Sequence, residues 1–366
     1  MAGKLTLQEI ALAAKVSVAT ASRVINNTGR VSPEIARRVK NAVAKLGAHA
    51  QRPDQARTIC FLLANRTMLH PFHAHVLMGA QEYAADREYH ILFYPFQYRP
   101  DASPEDIRLP LLFERRGLVD GYVVGGINSP NLLQLLTHTG VPFAVLGNNV
   151  LGDWQPEQFD VVWMDDVAGA HELTKYLQSL GHRDIWFLGE SRFPVARMRE
   201  GYSRAMQEAG LEPHVLEGDS DSEYDAGYLA AKTLLSSRAD VTAVFAHSDS
   251  VAHGVFEAVL GSGLKIPEQI SVAGFGDRPE AAALTPPLTT VWGYPEQVGR
   301  RLAELVLNRI KTPDLAPQRC VLPMRLIKRD SCSKTVAATV AGVAVTRPPE
   351  HLNDGREASE SRSAGE

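Results

Sequence analysis

The sequence predicts an all-α helix-turn-helix domain, residues 1–47, joined to an α/β domain of two doubly wound lobes, residues 59–332. Three observations predict it. Two short helical patterns flank a tight turn near the N-terminus. Beyond residue 58, apolar strand patterns alternate with amphipathic helices, the mark of parallel sheets covered on both faces. Charge divides at the same boundary. Residues 1–58 hold ten Lys and Arg against three acids, a net of +7. The remainder holds 28 against 39, a net of −11.

Leu7, Ile10, Ala11 and Ala14 fall at helical spacing and form the inward face of a first short helix. Ser17 follows a turn and caps a second helix, Val18 to Ile25. Ala21, Val24 and Ile25 face inward; Val18, Ala19, Thr20, Ser22 and Arg23 face outward. Ser32-Pro33-Glu34 opens a third helix with an N-cap, a first-turn Pro and a first-turn acid. Ile35, Val39, Ala42, Val43 and Leu46 are its buried stripe, and Gly47 closes it. Arg pairs bidentately with guanine, and short side chains let a helix approach base edges. A basic domain of this pattern implies double-stranded DNA as partner.

The run from Thr6-Leu7 through Thr20-Ala21-Ser22-Arg23-Val24-Ile25-Asn26 to Leu46-Gly47 resembles the LacI/GalR family of bacterial transcription regulators, and the resemblance continues to about residue 330. It implies that Thr6, Ser17, Val18, Ala19, Thr20, Ser22, Arg23, Asn26, Arg30, Arg38 and Arg52 face DNA. It also implies a type I periplasmic-binding-protein-like fold for the large domain. Lys15 stands where the family has Gly in the turn, which requires a left-handed conformation at modest cost.

Residues 48–58 are polar, contain Pro53 and read as a linker. In the family this segment forms a hinge helix whose Leu wedges into the minor groove. Here it is shorter and has no Leu, so we expect no such helix and a smaller operator bend. Arg52 and Arg57 suit a phosphate or a minor groove.

The strands expected in the large domain are 59–64, 90–94, 121–124, 143–146, 161–164, 184–188, 241–246 and 270–274. Helical patterns such as 75–87, 168–180, 198–209, 226–236 and 250–261 lie between them. The resemblance implies three crossings between lobes, near Asp165, Trp292 and Val321. Lobe one is then about 59–164 plus 293–320, and lobe two about 165–292 plus 321–332.

Ligands of open parallel sheets sit beyond the carboxyl ends of the strands. Those ends carry amides, acids, Arg and aromatic rings, a set that suits a polyhydroxylated small molecule. The resemblance places Phe72 and His73 on the family's cleft-lining aromatics and Asp249 on an effector-binding Asp. Gly276 stands where an Asp often binds effector. The effector Arg usually lies three residues before a Gly-aromatic pair; here that position is Met198, flanked by Arg197 and Arg199. Asn148, Asp277 and Trp292 complete the candidate set. Asp165 and Asp166 also suit helix capping, and His182 and Arg183 a turn.

No phosphate-cradling GxxxxGK[ST], HExxH, CxxC or Gly-x-Ser-x-Gly occurs, so no cofactor, metal or enzymatic activity is expected. Cys60, Cys320 and Cys332 read as reduced cytoplasmic thiols. The sequence shows neither a signal-peptide pattern nor a membrane-spanning run. Residues 333–366 shift to a small, charged, Pro-bearing composition and read as disordered. They hold one Leu, so a homodimer is expected rather than a leucine-heptad tetramer. These expectations add up to a sugar-controlled transcriptional regulator, a repressor by preference. The rival is a solute-binding protein for sugar uptake, which the basic first domain argues against.

Overall fold

The computed structural model describes residues 7–26, 28, 31–45, 57–66, 71–110, 118–190, 195–218, 220, 222–237 and 241–335. The N-terminal domain holds α1 (Leu7–Ala14), α2 (Val18–Ile25) and α3 (Pro33–Lys45). Ile10, Ala11, Ala14, Ala21, Val39 and Ala42 form its core, with Val24 and Ile25 packed against it. Leu7 departs from expectation at 38% exposed; as the first residue of α1 it lies beyond the contacts that begin at Ile10. Lys15 takes the turn at φ 52. Lys15→Gly should therefore raise the stability of this domain by about 1 kcal/mol, readable by thermal denaturation.

The large domain contains β1 (Thr58–Ala64), β2 (His90–Phe96), β3 (Gly121–Gly126), β4 (Phe143–Leu146), β5 (Asp160–Met164) and β6 (Ile185–Glu190). It continues with β7 (His214–Gly218), β8 (Ala243–Ala246), β9 (Ser271–Ala273), β10 (Thr290–Trp292), β11 (Arg319–Leu322) and β12 (Arg325–Ile327). One parallel sheet runs β11-β5-β4-β3-β1-β2 and a second runs β7-β6-β8-β9. β10 and β12 form an antiparallel ribbon. The chain leaves the first sheet after Met164, returns after Trp292 and crosses again after Leu322.

β7, β10, β11 and β12 went unpredicted. They are three to five residues long, and β7 and β11 are only partly buried, too little for a periodic signal. Helix Pro295–Lys311 covers the first sheet beside helix Pro71–Ala85. Glycine lets the two touch backbone to backbone: a Cβ on Gly299 would lie 1.8 Å from Val76 O.

The ordered body extends past the expected boundary at 332. Ser333 N donates to Ser271 Oγ at 3.1 Å, and Thr335 N donates to Leu180 O at 2.9 Å. His182 anchors this strap, with Nε2 3.0 Å from both Ser271 Oγ and Ser333 O. Residues 336–366, the hinge segment 48–56 and Gly47 lie outside the described residues.

Candidate functional site

The candidate DNA-facing surface begins at Ser17. Its Oγ accepts from Thr20 N at 3.1 Å and caps α2. Ser17, Val18, Ala19, Arg23 and Asn26 are exposed, and Thr20 and Ser22 half-buried. Arg38 is partly committed elsewhere. Its Nη2 donates to Ala14 O at 2.8 Å and Lys15 O at 3.2 Å, closing the C-terminus of α1. Arg38→Ala should lower the stability of this domain by about 1–2 kcal/mol and weaken operator and random DNA alike; parallel melting and DNA titrations check it. Arg57, which suits a phosphate or a minor groove, pairs with Glu88, and its carbonyl accepts from His90 N at 2.7 Å. That ties Arg57 to lobe one. Thr6, Arg30 and Arg52 lie outside the described residues.

The second region is built at the carboxyl ends of β8 and β9. Ser248 caps helix Asp249–Gly261, which buries Asp249 at its first position. Asp249 is 3% exposed and both its oxygens are engaged. Thr290 Oγ1 donates to Oδ1 at 2.6 Å, and Arg278 N donates to Oδ2 at 2.7 Å. Burial pushes its carboxyl up to about 6, against these hydrogen bonds. Gly276, at φ 130, lets the backbone pass beside this carboxylate. Both oxygens of Asp249, the effector-binding candidate, are thus engaged within lobe two, where it clamps the 274–278 loop from inside. The Arg278 guanidinium meets Glu223 Oε2 at 3.1 Å and Ser250 Oγ at 2.6 Å. His247 is buried beside them, and desolvation pushes its imidazole down to about 4.

A third cluster sits at the first crossing. Asn148, after β4, holds the end of β5 through Met164: Nδ2 to its carbonyl at 2.9 Å and Oδ1 from its N–H at 2.8 Å. The same Nδ2 donates to Asp166 Oδ2 at 2.9 Å. Arg197, from helix Ala196–Glu208, donates Nε to Asp166 Oδ1 at 2.7 Å. Its guanidinium lies 5.0 Å from the Trp163 ring centroid, and Trp163 stacks on Trp154. Desolvation raises the Asp166 carboxyl above its usual range, while Arg197 and Asn148 oppose the rise. Side chains of both sheets thus meet here, with Arg197 36% exposed.

The other candidates separate. Arg199 pairs with Glu217 on β7, the edge of the second sheet, and does not join the cluster. Asp277 is held by Arg329 Nη2 at 2.6 Å. His73 is buried, its Nε2 accepting from Gly126 N at 3.0 Å, with half-buried Phe72 edge-on to it. It is therefore a wall of lobe one. Trp292 lies at the return crossing, edge-on to Tyr294.

Comparison with known proteins agrees with this layout. Residues 6–50 match the model described as bacterial regulatory proteins, lacI family, and residues 174–332 match the periplasmic binding protein-like domain. The ribose operon repressor of Haemophilus influenzae is 30% identical over 338 residues, covering 89% of this chain and 98% of the repressor. The chain belongs to the LacI family. The family's regulator CelR of Thermobifida fusca is 31% identical over 339 residues, with 89% and 98% covered. A solved CelR–cellobiose complex superposes with a TM-score of 0.65 at 29% identity, covering 89% of this chain and 99% of that one.

This LacI-family chain is a DNA-binding transcriptional regulator, with its helix-turn-helix at the N-terminus and a periplasmic-binding-protein-like domain after it. No helix among the described residues is long and apolar enough to cross a membrane. Sequence reasoning passed over Arg278, Glu223 and Trp163. Arg278 follows the Gly-x-Gly-Asp loop end and Trp163 ends an apolar strand, two positional signals that were available. Glu223 had none, because its partner lies 55 residues away.

Proposed function

We propose that this regulator is a repressor released or engaged by a sugar bound between the lobes. The observation that carries the reading is the Asn148–Asp166–Arg197–Trp163 cluster, in which buried Asn148 and Asp166 hold the part-exposed Arg197 guanidinium beside the Trp163 ring where the two lobes meet. Hydroxyls suit the guanidinium and a sugar ring the aromatic face. The named relatives concern ribose and cellobiose, which makes pentoses and glucosides the first compounds to try. Lobe closure would alter the placement of two helix-turn-helix domains in a dimer. Control then requires the ligand to favour one lobe geometry over the other.

The test is thermal stabilisation of the full chain across a sugar panel. Free ligand at 100-fold its Kd adds about 2.7 kcal/mol to the native state. One sugar should raise the Tm, and Arg197→Gln should abolish the shift; because that change also takes the guanidinium from the buried Asp166 carboxylate and lowers the unliganded Tm, the shift is read against the variant's own unliganded Tm. A panel without a single shift counts against a sugar effector.

A further inference from the structure

The three crossings between the lobes meet at two methionines and a glycine. Met164 ends β5 at the first crossing, Gly293 follows β10 at the second, and Met324 lies between β11 and β12 at the third. Asp165 N ties the first to the third by donating to Leu322 O at 2.9 Å. A Cβ on Gly293 would lie 2.8 Å from Met324 Cε and 2.9 Å from Met164 Sδ, so both thioether ends rest against the glycine. Met164 packs on the core of lobe one, and Met324 on the core of lobe two.

Methionine suits a joint whose faces shift, because its three rotatable bonds let it repack. The same sulfurs expose the joint to oxidation. Both side chains are half-buried, within reach of a small oxidant. A sulfoxide turns an adaptable apolar side chain into a polar one. Not even a methyl fits between the thioethers and Gly293 as they stand, and a buried oxygen without a donor costs free energy.

We propose that Met164 and Met324 are a peroxide-sensitive modification site, whose oxidation to the sulfoxide resets the lobe geometry and with it operator affinity. A thioether lone pair attacks one oxygen of hydrogen peroxide, and an S–O bond forms as the O–O bond breaks. The proton on that oxygen passes to the departing one, which leaves as water. Sulfur loses two electrons and the peroxide gains them. The proposal rests on the reading that lobe geometry controls operator binding, and it needs no sugar.

The full-length protein first selects an operator out of random duplex DNA. It is then treated with graded hydrogen peroxide, and peptide masses locate the sulfoxides. The operator Kd should shift at least about fivefold as Met164 and Met324 are oxidised, the low end of ordinary allosteric coupling. Tryptophan emission should shift in step, since Trp163 and Trp292 adjoin Met164 and Gly293. The two methionine sulfoxide reductases with a thiol should restore the Kd, and the thiol alone should not, which separates these sulfurs from the half-buried thiol of Cys320. Met164→Leu combined with Met324→Leu keeps the volume and removes the sulfur. That protein should bind operator and be indifferent to peroxide. A Kd shift that persists in it overturns the proposal, as do sulfoxides confined to other methionines such as the exposed Met78. Sulfoxide at both sites and altered emission with an unchanged Kd would overturn it together with the lobe control it rests on.

Discussion

Asp249→Asn should make the protein more stable at pH 8, by up to about 3 kcal/mol, with the gain fading as the pH falls through 6. The Asn amide keeps the geometry. Its oxygen accepts from Arg278 N, and its nitrogen faces Thr290 Oγ1, which already accepts weakly from Asp277 N at 3.3 Å. What the variant removes is a buried charge whose desolvation raises the carboxyl to about 6. The sign follows from the shift. Between the unfolded value near 4 and the folded value of about 6, the native state holds the extra proton. Wild type therefore gains stability as the pH falls through that window, whereas Asn has nothing to titrate. Urea denaturation at pH 8, 6 and 4.5 reads the difference. A variant destabilised equally at all three values would mean that the carboxylate is a net stabilising ligand of the loop.

In the same Asp249→Asn protein, acidification from pH 6.5 to 4 should cost about 2 kcal/mol more than it costs wild type. The difference is the Asp249 gain that the variant lacks, and its loss leaves uncovered the cost carried by His247. Burial holds its imidazole neutral down to about 4, so the unfolded chain binds the proton first and stability falls with the pH. Glu223 draws the imidazole upward and Arg278 pushes it down, both less than desolvation does. In wild type the Asp249 gain and the His247 loss run in opposite directions over nearly the same range. Their sum is a flat acid limb until both groups are neutral and protonated respectively. His247→Gln should expose the opposite slope, a protein that grows more stable on acidification. Parallel slopes in wild type and both variants would contradict the assignment.

The helix-turn-helix was readable because its determinants are local. Ser17, Ala21 and Lys15 act within a few residues of where they stand, through a cap, a helical period and a turn conformation. Long apolar strands such as β1 were readable for the same reason. The site was legible only as a set of strand ends. Which arginine faces the crossing depends on Asp166, 31 residues before Arg197, and on Asn148 in the other lobe. Nothing in the spacing separates Arg197 from Arg199, because two residues along a helix differ by more than half a turn in direction. Asp249 was recognisable as special, but its ties within lobe two were not. Whether a carboxylate is open or clamped is set by Thr290 and Arg278, which reach it through the fold. The strap at Ser333–Thr335 escaped because its composition is that of a tail, while its partners at Leu180, Pro267 and Ser271 belong to lobe two.

The most direct test of the account is a titration of the selected operator by the full-length protein, followed by fluorescence anisotropy with and without a sugar that raises its Tm. Such a sugar should change the operator Kd at least about tenfold, a coupling of roughly 1.4 kcal/mol, and operator DNA should change the sugar Kd by the same factor. A sugar that stabilises the large domain but leaves operator affinity unchanged would contradict it.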